Sequence, residues 1–169
     1  RRGGPELRHA AGVQDLLTAF GLVFVAELGD KTQLAAAGFA TRYQARLVAA
    51  GVVVGYVAVS SISVLIGAVA GAAFPTRAVN IAAALVFIIV GFATLRAGDP
   101  DAGAPKQSGS GRAAVGVAGS IALAIVLAEL GDKTMLATIS LAASGETVAT
   151  WIGATAGITS AGLLGVVFG

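Results

Sequence analysis

The chain has 169 residues, of which 56% are hydrophobic and 12% charged, and its formal net charge is +2. Soluble domains carry about 25% charged residues, so a deficit this deep points to a bilayer as solvent, and so small a charge argues against nucleic acid as a partner. There is no cysteine and one histidine, His9, which excludes disulfides and thiolate sites and leaves too few ligands for a zinc centre built on His and Cys.

Residues 1–15 read as a polar tail. Arg1, Arg2, Glu6 and Arg8 fall in it, and it lacks the apolar core of a signal peptide. Leu16–Ala40 is apolar except for Glu27, Asp30 and Lys31, and is about one membrane crossing long. Thr41–Arg46 is a short connection. Leu47–Phe74 carries no charge over 28 residues, enough for a tilted span. Pro75, Thr76 and Arg77 make a turn, and Ala78–Leu95 is a third apolar run. Residues 96–112, rich in Gly, Pro, Ser and charge, read as a flexible aqueous linker. Ala113–Ser144 is apolar again except for Glu129, Asp132 and Lys133, and Thr147–Gly169 is uncharged. Polar/apolar alternation of the kind a membrane β-barrel needs is absent. The sequence therefore predicts an all-α, multi-pass membrane protein.

The most informative stretch occurs twice. Residues 26–35 read A-E-L-G-D-K-T-Q-L-A and residues 128–137 read A-E-L-G-D-K-T-M-L-A, an offset of 102 with Gln33 against Met135 as the one mismatch. At the same offset Gly51 and Gly55 fall on Gly153 and Gly157, and both pairs are G-x-x-x-G, a spacing that lets helices approach closely in lipid. Span one thus matches span four, and span two matches span five. The repeats are 16–95 and 113–169, the second holding two of its three helices, and a sixth helix is expected beyond Gly169. Three spans per repeat make the second repeat enter the membrane from the opposite side, the inverted-repeat logic of secondary transporters with a site near the midplane. Arg42, Arg46, Arg96, Lys106 and Arg112 lie in the loops of one side and Arg77 in those of the other. The positive-inside rule then puts the linker in the cytoplasm and the N-terminus outside.

Each motif sets two carboxylates, a lysine and a hydroxyl inside an apolar run. Within a continuous helix Glu27 and Asp30 share a face, as do Glu129 and Asp132. Gly29 and Gly131 remove side-chain bulk and permit a local break. An acidic residue at the bilayer centre costs about 2.5–3.5 kcal/mol, so four would cost on the order of 10 kcal/mol before pairing. Lys31 and Lys133 offset two of the four charges. The remaining formal charge of about −2 suits one divalent cation or two protons. Oxygen ligands without His or Cys favour Ca²⁺, Mn²⁺ or Mg²⁺ over softer metals. Protons and cation competing for the same oxygens, coupled to alternating access, make a cation/proton exchanger. A divalent cation channel with an acidic filter is the alternative. An intramembrane aspartyl hydrolase is a weaker one, since no further catalytic motif accompanies the acids. Structural ion pairing of the acids with Lys31 and Lys133, backbone bonding by Thr32 and Thr134, and interface anchoring or packing by Tyr56 and Trp151 are the plainer readings of those residues.

The paired E-x-G-D-[KR]-[TS] motifs, with A-T-R-Y-Q-A-R after the first, the glycine-rich second span and the polar linker, resemble the transmembrane-protein-165 family, also called the Gdt-one family. The resemblance covers about residues 16–169. It implies a manganese/calcium–proton antiporter, not an enzyme and without a cofactor. Its substrates would be Mn²⁺ or Ca²⁺ and protons, its setting the plasma (inner) membrane of a bacterium, and its oligomeric state is left open. By position, Glu27, Asp30, Glu129 and Asp132 would bind the cation, with Thr32, Gln33 and Thr134 supporting. Met135 stands where family members often have Gln.

Overall fold

The computed structural model describes residues 5–73, 77, 81, 85 and 111–169. Six helices follow one another among these: α1 Pro5–Glu27, α2 Lys31–Ala40, α3 Ala45–Ala73, α4 Gly111–Glu129, α5 Lys133–Ser144 and α6 Thr147–Phe168. The third predicted span and most of the linker lie outside the described residues. Helix α1 starts inside the stretch read as a tail, and α4 starts inside the stretch read as linker.

Three helices, α1, α3 and α6, are long and apolar enough to cross a membrane, and α4 with α5 makes a fourth crossing if that bent pair is one span. The burial pattern is that of a bilayer protein. Leu17, Val25, Val54, Leu65, Val69 and Leu127 are exposed aliphatic side chains, whereas Glu27, Glu129, Ser63, Thr32 and Thr134 are buried. Lipid is the only solvent in which turning the aliphatic side chains outward carries no penalty.

The helical face expected to be shared by each acid pair is not formed, and the local break that Gly29 and Gly131 permit is present. The first span breaks after Glu27 and restarts at Lys31. The fourth span breaks after Glu129 and restarts at Lys133, with a bend of 73°. The cause is local. Gly29 and Gly131 have φ of 76° and 80°, a conformation that a Cβ disfavours. Asp30 and Asp132 follow in extended backbone, with φ −77° and ψ 164° and 171°, and each becomes the N-cap of the next helix. Glu27 and Asp30 therefore flank a break rather than sharing one helical face, and so do Glu129 and Asp132.

The two halves pack reciprocally. A Cβ on Gly51 would stand 2.7 Å from the Ala118 carbonyl oxygen, and one on Gly153 would meet the Leu16 carbonyl oxygen. A Cβ on Gly55 would stand 2.9 Å from the Ala122 oxygen, and one on Gly157 2.7 Å from the Phe20 oxygen. Gly67 faces the Ile139 carbonyl as Gly169 faces that of Ala37. Each contact of one half recurs in the other with both residue numbers moved by 102 in opposite directions, as in an isologous pair. The glycines let α3 lie against α4 and α6 against α1 almost backbone to backbone, and Val48, Val52, Ile121, Ile125, Ala154 and Ile158 close the core around them.

Replacing Gly51 or Gly153 by Val should destabilise the bundle by about 1–3 kcal/mol each, because the backbone opposite cannot yield. Gly119→Ala should not destabilise it, since a Cβ there meets nothing within 4 Å. Thermal unfolding in detergent, followed by circular dichroism, measures all three.

Candidate functional site

Each helix break has an acid on either side, and the four acids fall into two classes. Glu27 and Glu129 are fully buried, at 0% exposure. Each is held by the threonine five residues on. Thr32 Oγ1 donates to Glu27 Oε1, and Thr134 Oγ1 donates to Glu129 Oε2 at 2.7 Å. The second oxygens, Glu27 Oε2 and Glu129 Oε1, are buried and have no hydrogen-bond partner among the described residues. The two glutamates are near enough to interact electrostatically.

The aspartates are paired across the molecule. Lys133 Nζ lies 2.5 Å from Asp30 Oδ2, and Lys31 Nζ lies 3.4 Å from Asp132 Oδ1. Lys133 also stands 3.6 Å from Asp132 Oδ2. These are crossed pairs: the lysine of each motif reaches the aspartate of the other. Asp30 and Asp132 also begin α2 and α5, where the helix dipole favours negative charge. The lysines keep contact with the outside, at 40% and 34% side-chain exposure, while Asp30 and Asp132 are at 19% and 12%. In this arrangement no three acids converge closely enough to hold a metal ion among the described residues.

The supporting residues divide further. Thr32 and Thr134 are nearly fully buried and bond the glutamates, not their own helices. Gln33 is spent on structure. Its Oε1 accepts from the Gly29 amide at 2.7 Å, and its Nε2 donates to the Ala161 carbonyl at 2.9 Å. Met135 takes the matching place in the second break, its Sδ 3.2 Å from the Gly131 amide. The mismatch that marked the repeat is thus a change of acceptor at one turn.

Three further residues have specific partners. Tyr56 is fully buried, with its hydroxyl 3.4 Å from Glu27 Oε1. Its signal was an aromatic hydroxyl where the other half has Ile158. Trp151 Nε1 donates to Ser61 Oγ at 3.1 Å, tying α6 to α3. Glu146 caps α6 through the Ala149 amide, and its own amide donates to Asp15 at 2.7 Å, so α1 is tied to the α5–α6 turn. An open cleft of about 560 Å³ lies at that end, lined by His9, Val13, Leu16, Glu146 and Ile152. It does not reach the glutamates.

The chain is similar to known proteins along nearly its whole length. The family model described as divalent cation/proton antiporter GDT1 matches residues 15–102 and 117–169. A GDT1-like protein, sll0615, of Synechocystis sp. is 37% identical over 91% of this chain and 84% of its own length. The chloroplastic protein PAM71 of Arabidopsis thaliana is 32% identical over 90% of this chain and 48% of its own length. No solved structure matches.

The crossed pairs should be unequal. Lys133→Gln should cost about 1–2 kcal/mol of stability, between the values for exposed and buried pairs, and Lys31→Gln less, because its contact is longer and more exposed. A double-mutant cycle of Lys133→Gln with Asp30→Asn, read by thermal unfolding, isolates the pair energy.

Proposed function

This chain belongs to the GDT1 family of divalent cation/proton antiporters, and from that premise we propose that it exchanges Mn²⁺ or Ca²⁺ for protons at one site shared by Glu27, Asp30, Glu129 and Asp132. The observation that carries this reading is the pair of buried glutamates, each with one oxygen bonded to a threonine and one oxygen unpartnered. Buried carboxylate oxygens without partners are costly. A proton on each glutamate relieves that cost, and so does a divalent cation between them. The two solutions exclude one another, which is what an exchanger requires.

The charge balance supports the same reading. Four carboxylates and two lysines leave a formal −2, neutralised by one divalent cation or by two protons. The crossed lysine pairs would hold Asp30 and Asp132 while the glutamates are protonated. Cation binding would draw the aspartates from the lysines, whose exposed ends let their charge return to water. Thr32 and Thr134 would orient the glutamates, while Gln33 and Met135 keep the breaks in shape. Oxygen donors favour a hard divalent ion. The reciprocal contacts of the halves favour alternating access about a common centre, with the second repeat inverted in the membrane. Arg42 and Arg46 beside the α2–α3 turn favour that end as cytoplasmic and the N-terminus of α1 as external, in an inner membrane.

Proteoliposomes test the exchange. Mn²⁺ or Ca²⁺ uptake should follow an imposed pH gradient. The KM for the cation should fall as pH rises on the binding side, because the carboxylates must be unprotonated to take it. Glu27→Gln and Glu129→Gln should each lower uptake by at least about 10-fold, the effect of losing roughly 1.4 kcal/mol or more of binding. Cation current that ignores the proton gradient would favour the channel reading. The chain has no cysteine, so single Thr41→Cys and Ser144→Cys variants report orientation, the first expected to label from the cytoplasmic side and the second from outside.

A further inference from the structure

The reciprocal packing of the halves is broken beside Glu27. Tyr56 lies in α3, fully buried, with its hydroxyl 3.4 Å from Glu27 Oε1. The matching position in the other half is Ile158, also buried but without a polar atom on its side chain. Glu27 Oε1 therefore faces two hydroxyls, those of Thr32 and Tyr56, while for Glu129 the matching aromatic hydroxyl is missing. The Tyr56 ring is closely seated. A Cβ on Gly162 would run into its Cε2 and stand 2.9 Å from its hydroxyl oxygen. The phenol is thus held from α6 and aimed at the carboxylate from α3.

We propose that Tyr56 is a positioning residue for Glu27, and that it makes the two glutamates unequal: Glu27 is the anchored ligand of the divalent cation, and Glu129 the one free to change its partner during exchange. The inference rests on the shared-site reading above. A carboxylate that accepts two hydroxyls through one oxygen is fixed in rotamer, and its other oxygen is presented in a constant direction. A carboxylate that accepts one can rotate about that single bond. Exchange benefits from both kinds, since one ligand must keep the cation in place while another lets it go.

The plainer account is that a buried phenol needs a partner for its hydroxyl and finds the nearest carboxylate. The two accounts differ in what a conservative change does to cation affinity. Tyr56→Phe keeps the ring that Gly162 accommodates and removes the hydroxyl. In full-length protein in proteoliposomes, with Mn²⁺ and Ca²⁺ as probes, the KM should rise roughly 3- to 10-fold, the loss of one long hydrogen bond of ordinary net strength, while Vmax changes less than about two-fold. Glu27→Asp withdraws the carboxylate from both hydroxyls, so Tyr56→Phe should add nothing to the KM of Glu27→Asp but should multiply that of Glu129→Asp. Should Tyr56→Phe not fold, the aspartate variants still decide the question: Glu27→Asp should raise the KM at least about three-fold more than Glu129→Asp. A wild-type KM in Tyr56→Phe, or equal effects of the two aspartate variants, would overturn the proposal. Wild-type protein that moves neither cation would instead overturn the transport reading on which it rests.

Discussion

Everything else in the structure accommodates two fully buried glutamates. A carboxylate in the apolar interior of a membrane bundle is tolerated when its oxygens have donors. Here each glutamate has one donor in its own motif, the threonine five residues on, and that geometry exists because the helix stops after the glutamate. A continuous helix would carry Thr32 and Thr134 away round the axis. Gly29 and Gly131, in left-handed backbone, turn the chain so that the hydroxyl comes back over the carboxylate. The helix breaks, the acids and the threonines are therefore one device, used twice.

Close packing brings the two devices together. Glycines on α3 and α6 remove the side chains that would hold α4 and α1 at ordinary distance, and the backbones of the four helices meet. The motifs are then near enough for Lys31 and Lys133 to cross to Asp132 and Asp30. The aspartates gain partners that the glutamates lack, which separates the four acids by role. The half-exposed lysines are paired with the aspartates, and each buried glutamate keeps one oxygen without a hydrogen-bond or ion-pair partner among the described residues. Departures from reciprocity include Tyr56 against Ile158 and Gln33 against Met135, each of which adds a polar group on the first motif's side.

Much of this is legible in the residues. The span lengths, the offset of 102 and the presence of four acids at matched depth follow from composition and repetition alone. The glycine pairs at 51, 55, 153 and 157 point to close helix contacts, and the bundle uses them so. The break at Gly29 could be suspected but not its consequence, because a glycine in a helical run is compatible with a kink, a packing contact or an unbroken helix. Treating Glu27 and Asp30 as one helical face followed from i, i+3 spacing, and it fails because the backbone between them is not helical. A lone aromatic in an uncharged span has many uses, and that of Tyr56 depends on what stands opposite. Asp15 and Glu146, 131 residues apart, have no sequence pattern that links them.

Sequence by itself determined that the chain lives in a membrane, that it carries one motif in two related halves, and that four acids and two lysines in those motifs are too costly there to be incidental. These are consequences of hydrophobicity and of repetition, both of which are properties of the chain read along its length. Only the tertiary structure decided which acid pairs with which lysine, which oxygens are left without partners, and that Tyr56 breaks the balance between the halves. Those are distances between residues about 30 to 130 positions apart, set by how closely glycine lets four helices approach, and no local pattern encodes them.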